Sequence, residues 1–466
     1  IAFTSSRLGA SSAAAPGMFH KTGRQIFVET IQEPVSNVLK ILGEPKAAPD
    51  GWRWTNHLVF QEVGEGTLAF NTLTRELALL SPEEFGSPDE CLELQERWFR
   101  VPASTDDKGS ADLVRLVLES LHQRPEHVTT YHVFTTMDCN ARCFYCYEKD
   151  RARPTMSVGT AHKTADYIVR HCGGNKVRLA WFGGEPLYNA QVIDLICNDL
   201  VERGIGYESS MISNGFLFDE KLIKRAAELW RLRQIQITLD GTEGVYNAVK
   251  RYVDAGEKSP YQVVLANIRG LLDAGVRVIV RLNVSRANAK NLLALVDDLE
   301  ARFAGARLLS VYCAMTSEFD GIDIVPMRED ATKELSWSIK NLDLRLERAG
   351  LLERRGIKAK IPMAQCMADS GGSLTVLPDG HLGLCEHYSE DNFVGSIDSD
   401  ELDESVVQSF RERGETMPRC ATCFEYPTCI RLRKCPFSAK CLPETVALAK
   451  TTLQDGMVSM YNAKKK

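Results

Sequence analysis

Ten of the fourteen cysteines fall into two groups: Cys139, Cys143 and Cys146 on one short loop, and Cys366, Cys385, Cys420, Cys423, Cys429, Cys435 and Cys441 toward the carboxyl end. Cys91, Cys172, Cys197 and Cys313 stand singly in segments with helix or strand patterning. The loop Asp138-Cys139-Asn140-Ala141-Arg142-Cys143-Phe144-Tyr145-Cys146 has the spacing CxxxCxxC. Three closely spaced thiolates can each hold one iron of a 4Fe–4S cube and leave the fourth iron without a protein ligand. Such an iron can be chelated by a small molecule, which then accepts an electron from it. A structural zinc site takes four protein ligands, so zinc here would need one more from elsewhere in the chain. Disulfides are the other common use of many cysteines, but disulfide-dense chains are short and secreted. A length of 466 residues and these tight spacings favour metal ligation in a reducing cytoplasm.

The elements that must position this loop read as strand alternating with helix from about Thr129. Strands are expected at Tyr131–Thr136, Val177–Phe182, Ser209–Ile212, Gln234–Leu239, Val278–Val284 and Leu308–Ala314. Helices are expected at about Gly159–His171, Ala190–Arg203, Glu220–Trp230, Tyr261–Ala274 and Asn288–Phe303. Strands separated by helices imply a parallel sheet with right-handed crossovers, open or curled into a partial barrel. Ligands of such sheets gather at the carboxyl ends of the strands, and the cysteine trio follows the first strand directly. Short motifs end the next strands: Gly183-Gly184-Glu185-Pro186, Ser213-Asn214-Gly215, Thr238-Leu239-Asp240-Gly241 and Arg281-Leu282-Asn283-Val284. Singly, a Gly-Gly or Asp-Gly pair is usually only a tight turn. Together, at successive strand ends, they describe a site.

In this order the motifs resemble the signature of the radical S-adenosylmethionine (SAM) superfamily. The resemblance implies a partial (β/α)6 barrel, and a 4Fe–4S cluster on Cys139, Cys143 and Cys146 that cleaves SAM. It also implies an oxidoreductase that abstracts hydrogen from unactivated carbon, the cofactor supplying the chemistry and the protein its orientation. Gly183, Gly184 and Glu185 match the family's GGEP, whose glutamate binds the SAM amino group, a charge-assisted contact. Ser213 and Asn214 match the TNG segment, and Thr238 the serine of SxDG. Thr238 and Arg251 would bind the SAM carboxylate, Asn283 would touch SAM, and Tyr145 would contact adenine through its backbone.

The carboxyl-terminal cysteines resemble the SPASM extension, with the pattern Cx(9–15)GxxxxC, CxxCxxxxxCxxxC and a last cysteine. Thirteen residues separate Cys366 from Gly380, and four separate Gly380 from Cys385. Five residues stand between Cys429 and Cys435 where the family has three. The resemblance implies two auxiliary 4Fe–4S clusters, so three in all: Cys420, Cys423, Cys429 and Cys441 on one, and Cys366, Cys385 and Cys435 on the other. That second set is one ligand short. The open iron could take a substrate thiolate, a soft ligand suited to iron, or Cys313 could close the site. Glu386 follows Cys385, where sulfatase-maturing relatives carry an acidic base, and is the candidate catalytic residue.

Residues 24–125 read as a separate domain, with a hairpin around Gly64-Glu65-Gly66 and short helices near Pro82–Phe85, Asp89–Trp98 and Ala111–His122. Strand pairs beside short helices fit a winged-helix-like arrangement, and its place before the barrel resembles the recognition element that grips a leader peptide by strand addition; packing against the barrel is the simpler use. The expected division is 1–17 as an added tag or disordered, 24–125 recognition, 126–325 barrel, 326–365 helical bridge, 366–445 auxiliary clusters, and 446–466 helix or tail. The Ala- and Ser-rich start lacks the features of a signal peptide, and Met18 is a plausible native start. A net charge of −6 without a basic stretch weighs against nucleic acid, and no apolar run reaches the ~18 residues that span a bilayer. The resemblance to SPASM-containing enzymes implies as partners a ribosomal precursor peptide and a flavodoxin- or ferredoxin-like reductant, and the expected location is the cytoplasm. The expected product is a thioether crosslink; carbon–carbon or carbon–oxygen cyclisation, or oxidation of a protein Cys or Ser to formylglycine, are the alternatives.

Overall fold

The computed structural model describes residues 17–465 apart from 22–23, 29–33, 46–47, 122–124, 147, 149–151, 254, 317, 321–322, 326–328, 354–356, 359, 363–365, 388–391, 433–440 and 442. These residues group into two units.

The first unit spans 124–354 and 367–411. Its six parallel barrel strands are Thr130–Thr136, Val177–Gly183, Tyr207–Ser213, Leu232–Leu239, Arg277–Val284 and Leu309–Met315, hydrogen-bonded in chain order. The intervening helices include Val158–His171, Ala190–Glu202, Glu220–Glu228, Pro260–Asp273 and Ala289–Phe303. Val276-Arg277-Val278-Ile279-Val280 shows why such segments extend. Its β-branched side chains suit a pleated surface, and Val278 and Val280 are fully buried. Helical positions Leu292, Leu295, Val296 and Leu299 recur on one face and are likewise fully buried. Each such side chain contributes about 1.5–3 kcal/mol through burial.

The two faces of this sheet differ in chemistry. Thr238, Arg281 and Tyr312 are in register across three strands, and the Tyr312 hydroxyl donates to Gln236 Oε1 at 2.7 Å. That row is polar and half-buried; the alternate row Leu239, Leu282 and Cys313 packs on the other face. Because side chains alternate with period two, Cys313 stands opposite the polar face.

The sheet does not stop at six strands. Ser373–Val376 pairs parallel with the first barrel strand, followed antiparallel by His381–Gly383 and Gly395–Ser396, giving nine strands. The region expected as one module over 366–445 is therefore divided, with 367–411 continuing the barrel sheet.

The second unit joins the chain's first part (to residue 123) with 355–366 and 412–466. It holds a five-stranded antiparallel sheet: Gly17–Lys21, Arg24–Val28, Glu76–Leu80, Gly66–Asn71 and Leu58–Val63, in spatial order. The carboxyl-terminal helix Pro443–Lys465 covers one face, with Met457 and Tyr461 in a cluster with Val59, Leu68, Phe70 and Leu77. Among the described residues no helix is long and apolar enough to cross a membrane.

Candidate functional site: a cysteine loop tied to four strand ends

The cysteine loop leaves the first strand at Thr136 and is held by the glycines that end the second. Gly183 has φ +134°, and a Cβ there would stand 2.0 Å from the Thr136 carbonyl oxygen; one on Gly184 would stand 2.5 Å from that of Asp138. Only glycine permits this approach. Gly184 N–H then donates to Thr136 O at 3.0 Å and Glu185 N–H to Asp138 O at 2.9 Å.

Glu185, which the loop backbone fixes in this way, is fully buried. Its carboxylate accepts from Ser213 Oγ at 2.8 Å and from the N–H groups of Asn214 at 2.7 Å and Leu187 at 3.2 Å. Burial pushes its pKa up to about 7, against these hydrogen bonds. The Asn214 amide donates to Asn140 Oδ1 at 2.7 Å and lies 3.9 Å from Cys139 Sγ. Three expected site residues on two strands thus meet at the cysteine loop.

The far side of the loop is held by a buried ionic hub. Tyr145 OH donates to both Asp240 carboxylate oxygens at 2.9 Å, and Lys250 Nζ donates to Tyr145 OH at 3.1 Å. Lys250 Nζ also lies 3.0 Å from Asp240 Oδ2, with side chains only 4% and 1% exposed. Burial alone would discharge the lysine, but Asp240 and Tyr145 outweigh it and raise its pKa well above the ordinary value. Asn283 Nδ2 reaches Asp240 Oδ1 at 3.2 Å, and Arg281 Nε donates to Asn283 Oδ1 at 2.9 Å. Backbone bonds run alongside: Arg142 N–H to Lys250 O at 2.8 Å and Val253 N–H to Asn140 O at 2.8 Å. Asp240 and Lys250 were not among the expected site residues. Asp240 was visible within the Thr238–Gly241 motif, whereas Lys250 needed the helix Glu243–Lys250 to bring it back beneath the loop.

Arg251 follows Lys250 directly. It caps that helix in a left-handed conformation (φ 45°), is exposed, and donates from Nε to Arg142 O at 3.1 Å. This contact braces the cysteine loop. Thr238 lies on the polar face in register with Arg281.

The loop suits an iron–sulfur cluster. Burial pushes the Cys139 thiol up to about 12 and that of Cys146 up to about 11, so metal must displace protons to bind. The Asn140 Nδ2 is buried without a hydrogen-bond partner, and the Oδ1 of the same side chain lies 3.9 Å from Cys139 Sγ. Among the described residues no three metal-binding side chains converge on a single ion; in a cube each cysteine takes its own iron.

Residues 133–299 match the radical SAM superfamily model. These residues form a radical SAM domain. Members are enzymes of radical chemistry that use SAM and a 4Fe–4S cluster, for which Cys139, Cys143 and Cys146 are the fitting ligands. The GTP 3',8-cyclase of Clostridium perfringens (strain SM101 / Type A) is 27% identical over 298 residues, 60% of this chain and 88% of that protein. The Fe-coproporphyrin III synthase of Methanosarcina barkeri (strain Fusaro / DSM 804) is 22% identical over 226 residues, 48% of this chain and 53% of that protein. The structure of anSMEcpe with bound AdoMet aligns with a TM-score of 0.55 at 14% identity, covering 72% of this chain and 98% of that one. At this identity the likeness is one of fold.

The carboxyl-terminal cysteines lie in both units. In the first, His387 N–H donates to Cys385 Sγ at 3.4 Å, and the Cys385 thiol lies 3.6 Å from Glu386 Oε2. Glu386 is buried, which raises its pKa. Cys366, half-buried, belongs to the second unit with Cys420, Cys423, Cys429 and Cys441, and Cys435 lies outside the described residues. Cys423, Cys429 and Cys441 are close enough to raise one another's thiol pKa or that of a shared neighbour.

Proposed function

We propose that this radical SAM enzyme matures a ribosomally synthesised precursor peptide, installing a thioether between a cysteine sulfur and a carbon. The observation that carries the SAM part is the cysteine loop, bound on one side to Glu185 and on the other to the Asp240 hub. In this reading Glu185 meets the SAM amino group, Thr238 and Asn283 line the pocket, and the Tyr145 backbone meets adenine. When bound, SAM and a cluster on Cys139, Cys143 and Cys146 would supply the radical chemistry that abstracts hydrogen from the substrate. The chain's own part is to orient SAM and keep water away. Glu185 does the first from a buried carboxyl group held in place by Ser213, Asn214 and Leu187.

A peptide substrate is supported by two features. A solved relative of this fold was determined with AdoMet and a peptide, Cp18Cys, bound (TM-score 0.53). The antiparallel sheet of the second unit offers the edge strand Gly17–Lys21, and an exposed edge can take an extended peptide as a further strand. Auxiliary clusters on Cys420, Cys423, Cys429 and Cys441 and on Cys366, Cys385 and Cys435 would complete the enzyme. One observation favours a second reading, oxidation of a protein Cys or Ser to formylglycine: buried Glu386 beside Cys385 is suited to act as a base.

Closing a thioether breaks one S–H and one C–H bond and forms one S–C bond; one hydrogen atom would leave in 5'-deoxyadenosine and the other as a proton, its electron returning to an iron–sulfur cluster, so that SAM is the net oxidant and the product is lighter by about 2 Da. The test incubates the reduced enzyme with SAM and a genomically neighbouring precursor, followed by mass spectrometry and thiol alkylation. A product 2 Da lighter that has lost one alkylatable cysteine supports the thioether. A free cysteine in that product excludes it.

A further inference from the structure

We propose that the four-cysteine set Cys420, Cys423, Cys429 and Cys441 is the keystone of the amino-terminal unit, so that loading its metal and folding the recognition sheet are one coupled event. This rests on reading the set as a metal site.

The argument begins from an unexpected core. Cys420 and Tyr426 are buried in one cluster with Val38, Leu73, Ala111 and Val114, and Cys423 and Cys429 pack against it. The cysteines of the carboxyl-terminal segment are therefore core residues of a domain that begins some 400 positions earlier. Polar ties repeat the pattern. Tyr426 OH donates to Asp112 Oδ1 at 2.7 Å, and Arg115, itself buried, donates from Nη1 to Pro427 O at 3.2 Å. The Thr72 hydroxyl donates to Phe424 O, Asn56 Nδ2 to Ala421 O at 3.4 Å, and buried His57 lies against the Cys423 backbone. The hairpin and the helix Asp107–Leu121 thus grip the loop that carries Cys420, Cys423 and Cys429.

That loop has little structure of its own: three short 3-10 turns at Pro418–Thr422, Tyr426–Thr428 and Ile430–Leu432. Such turns are weak, and their conformation must come from outside. An iron–sulfur cluster bound through Cys420, Cys423, Cys429 and Cys441 would supply it, since the binding free energy of a structural metal becomes folding free energy. Because the same loop fills the amino-terminal core, linkage makes the coupling reciprocal. A disturbed core must weaken metal binding, and an empty site must loosen the sheet.

The test uses full-length anaerobic protein with two readouts on each sample: iron and acid-labile sulfide, and amide hydrogen exchange in the strands Leu58–Val63, Gly66–Asn71 and Glu76–Leu80. Cys423→Ala is expected to lose about four irons and to speed exchange in those strands at least about tenfold. A Cys139→Ala/Cys143→Ala/Cys146→Ala protein should lose a similar amount of iron and leave those strands protected. From the other side, Asp112→Asn with Arg115→Met should lower iron content though neither residue is a ligand. Should Cys423→Ala prove insoluble, chelator stripping of the wild type supplies the same comparison. Loss of iron with unchanged strand protection would overturn the coupling; undiminished iron in Cys423→Ala would instead overturn the metal site.

Discussion

Replacing Lys250 by methionine tests whether the buried hub, and not the cysteines alone, shapes the loop. Lys250 and Asp240 are 3.0 Å apart and almost wholly excluded from water. At an effective dielectric of about 20, such a pair interacts by about 5 kcal/mol, largely offset by the cost of burying both ions. Removing one partner exposes that cost: an unpaired buried charge destabilises by about 3–5 kcal/mol. Lys250→Met should lose this much, and Asp240→Asn a similar amount because it strands the ammonium. The double variant should lose far less than the sum, giving a coupling of at least about 2 kcal/mol. Urea denaturation of the reduced, cluster-free protein followed by far-UV circular dichroism measures all four corners of the cycle. Losses that add to within about 0.5 kcal/mol, or a Lys250→Met protein as stable as wild type, would refute the hub.

Other expectations follow from the same geometry. Gly183→Ala places a methyl 2.0 Å from the Thr136 carbonyl oxygen and should cost about 2 kcal/mol or more with loss of reconstituted iron; wild-type iron content would contradict this. Glu185 holds its proton more tightly folded than unfolded, with a pKa near 7 against 4.5. Its contribution is therefore full below about pH 4.5 and is lost as pH rises toward 7. The stability of wild type minus Glu185→Gln should fall across that window by up to about 3 kcal/mol and then level off; a flat difference in urea titrations refutes it. Glu386→Gln should lower product formation at least about tenfold while leaving SAM cleavage without peptide unchanged, if Glu386 acts as a base; equal product yield removes it from that role.

Much of the barrel was legible because its signals are local. Each expected strand and helix between 131 and 314 coincides with an observed one to within a few residues, since alternating β-branched runs and one-sided helical faces encode their own period. The site was legible where residues adjoin in sequence: Glu185, Ser213 and Asn214 do meet at the loop. Lys250 and Arg251 show the limit. They are neighbours in sequence, yet the helix end buries Lys250 beneath the loop and leaves Arg251 exposed, with its Nε on Arg142 O. Long-range pairing was equally hidden. Nothing in Ser373–Val376 says that it will lie beside Thr130–Thr136, more than 200 positions earlier, and the burial of Cys420 among residues near Val38 has no local signal at all.

The parallel pairing of Ser373–Val376 with Thr130–Thr136 has a practical side. The strand leading into the cysteine loop has a neighbour on each flank, and one of those neighbours arrives only after most of the chain has been made. A protein cut before residue 366 would leave that strand's amides and carbonyls bare along one side, an invitation to pair with another molecule. Shortened versions prepared to isolate the SAM chemistry should therefore clump, and the last hundred residues cannot be exchanged for those of a cousin without also exchanging a piece of the barrel wall.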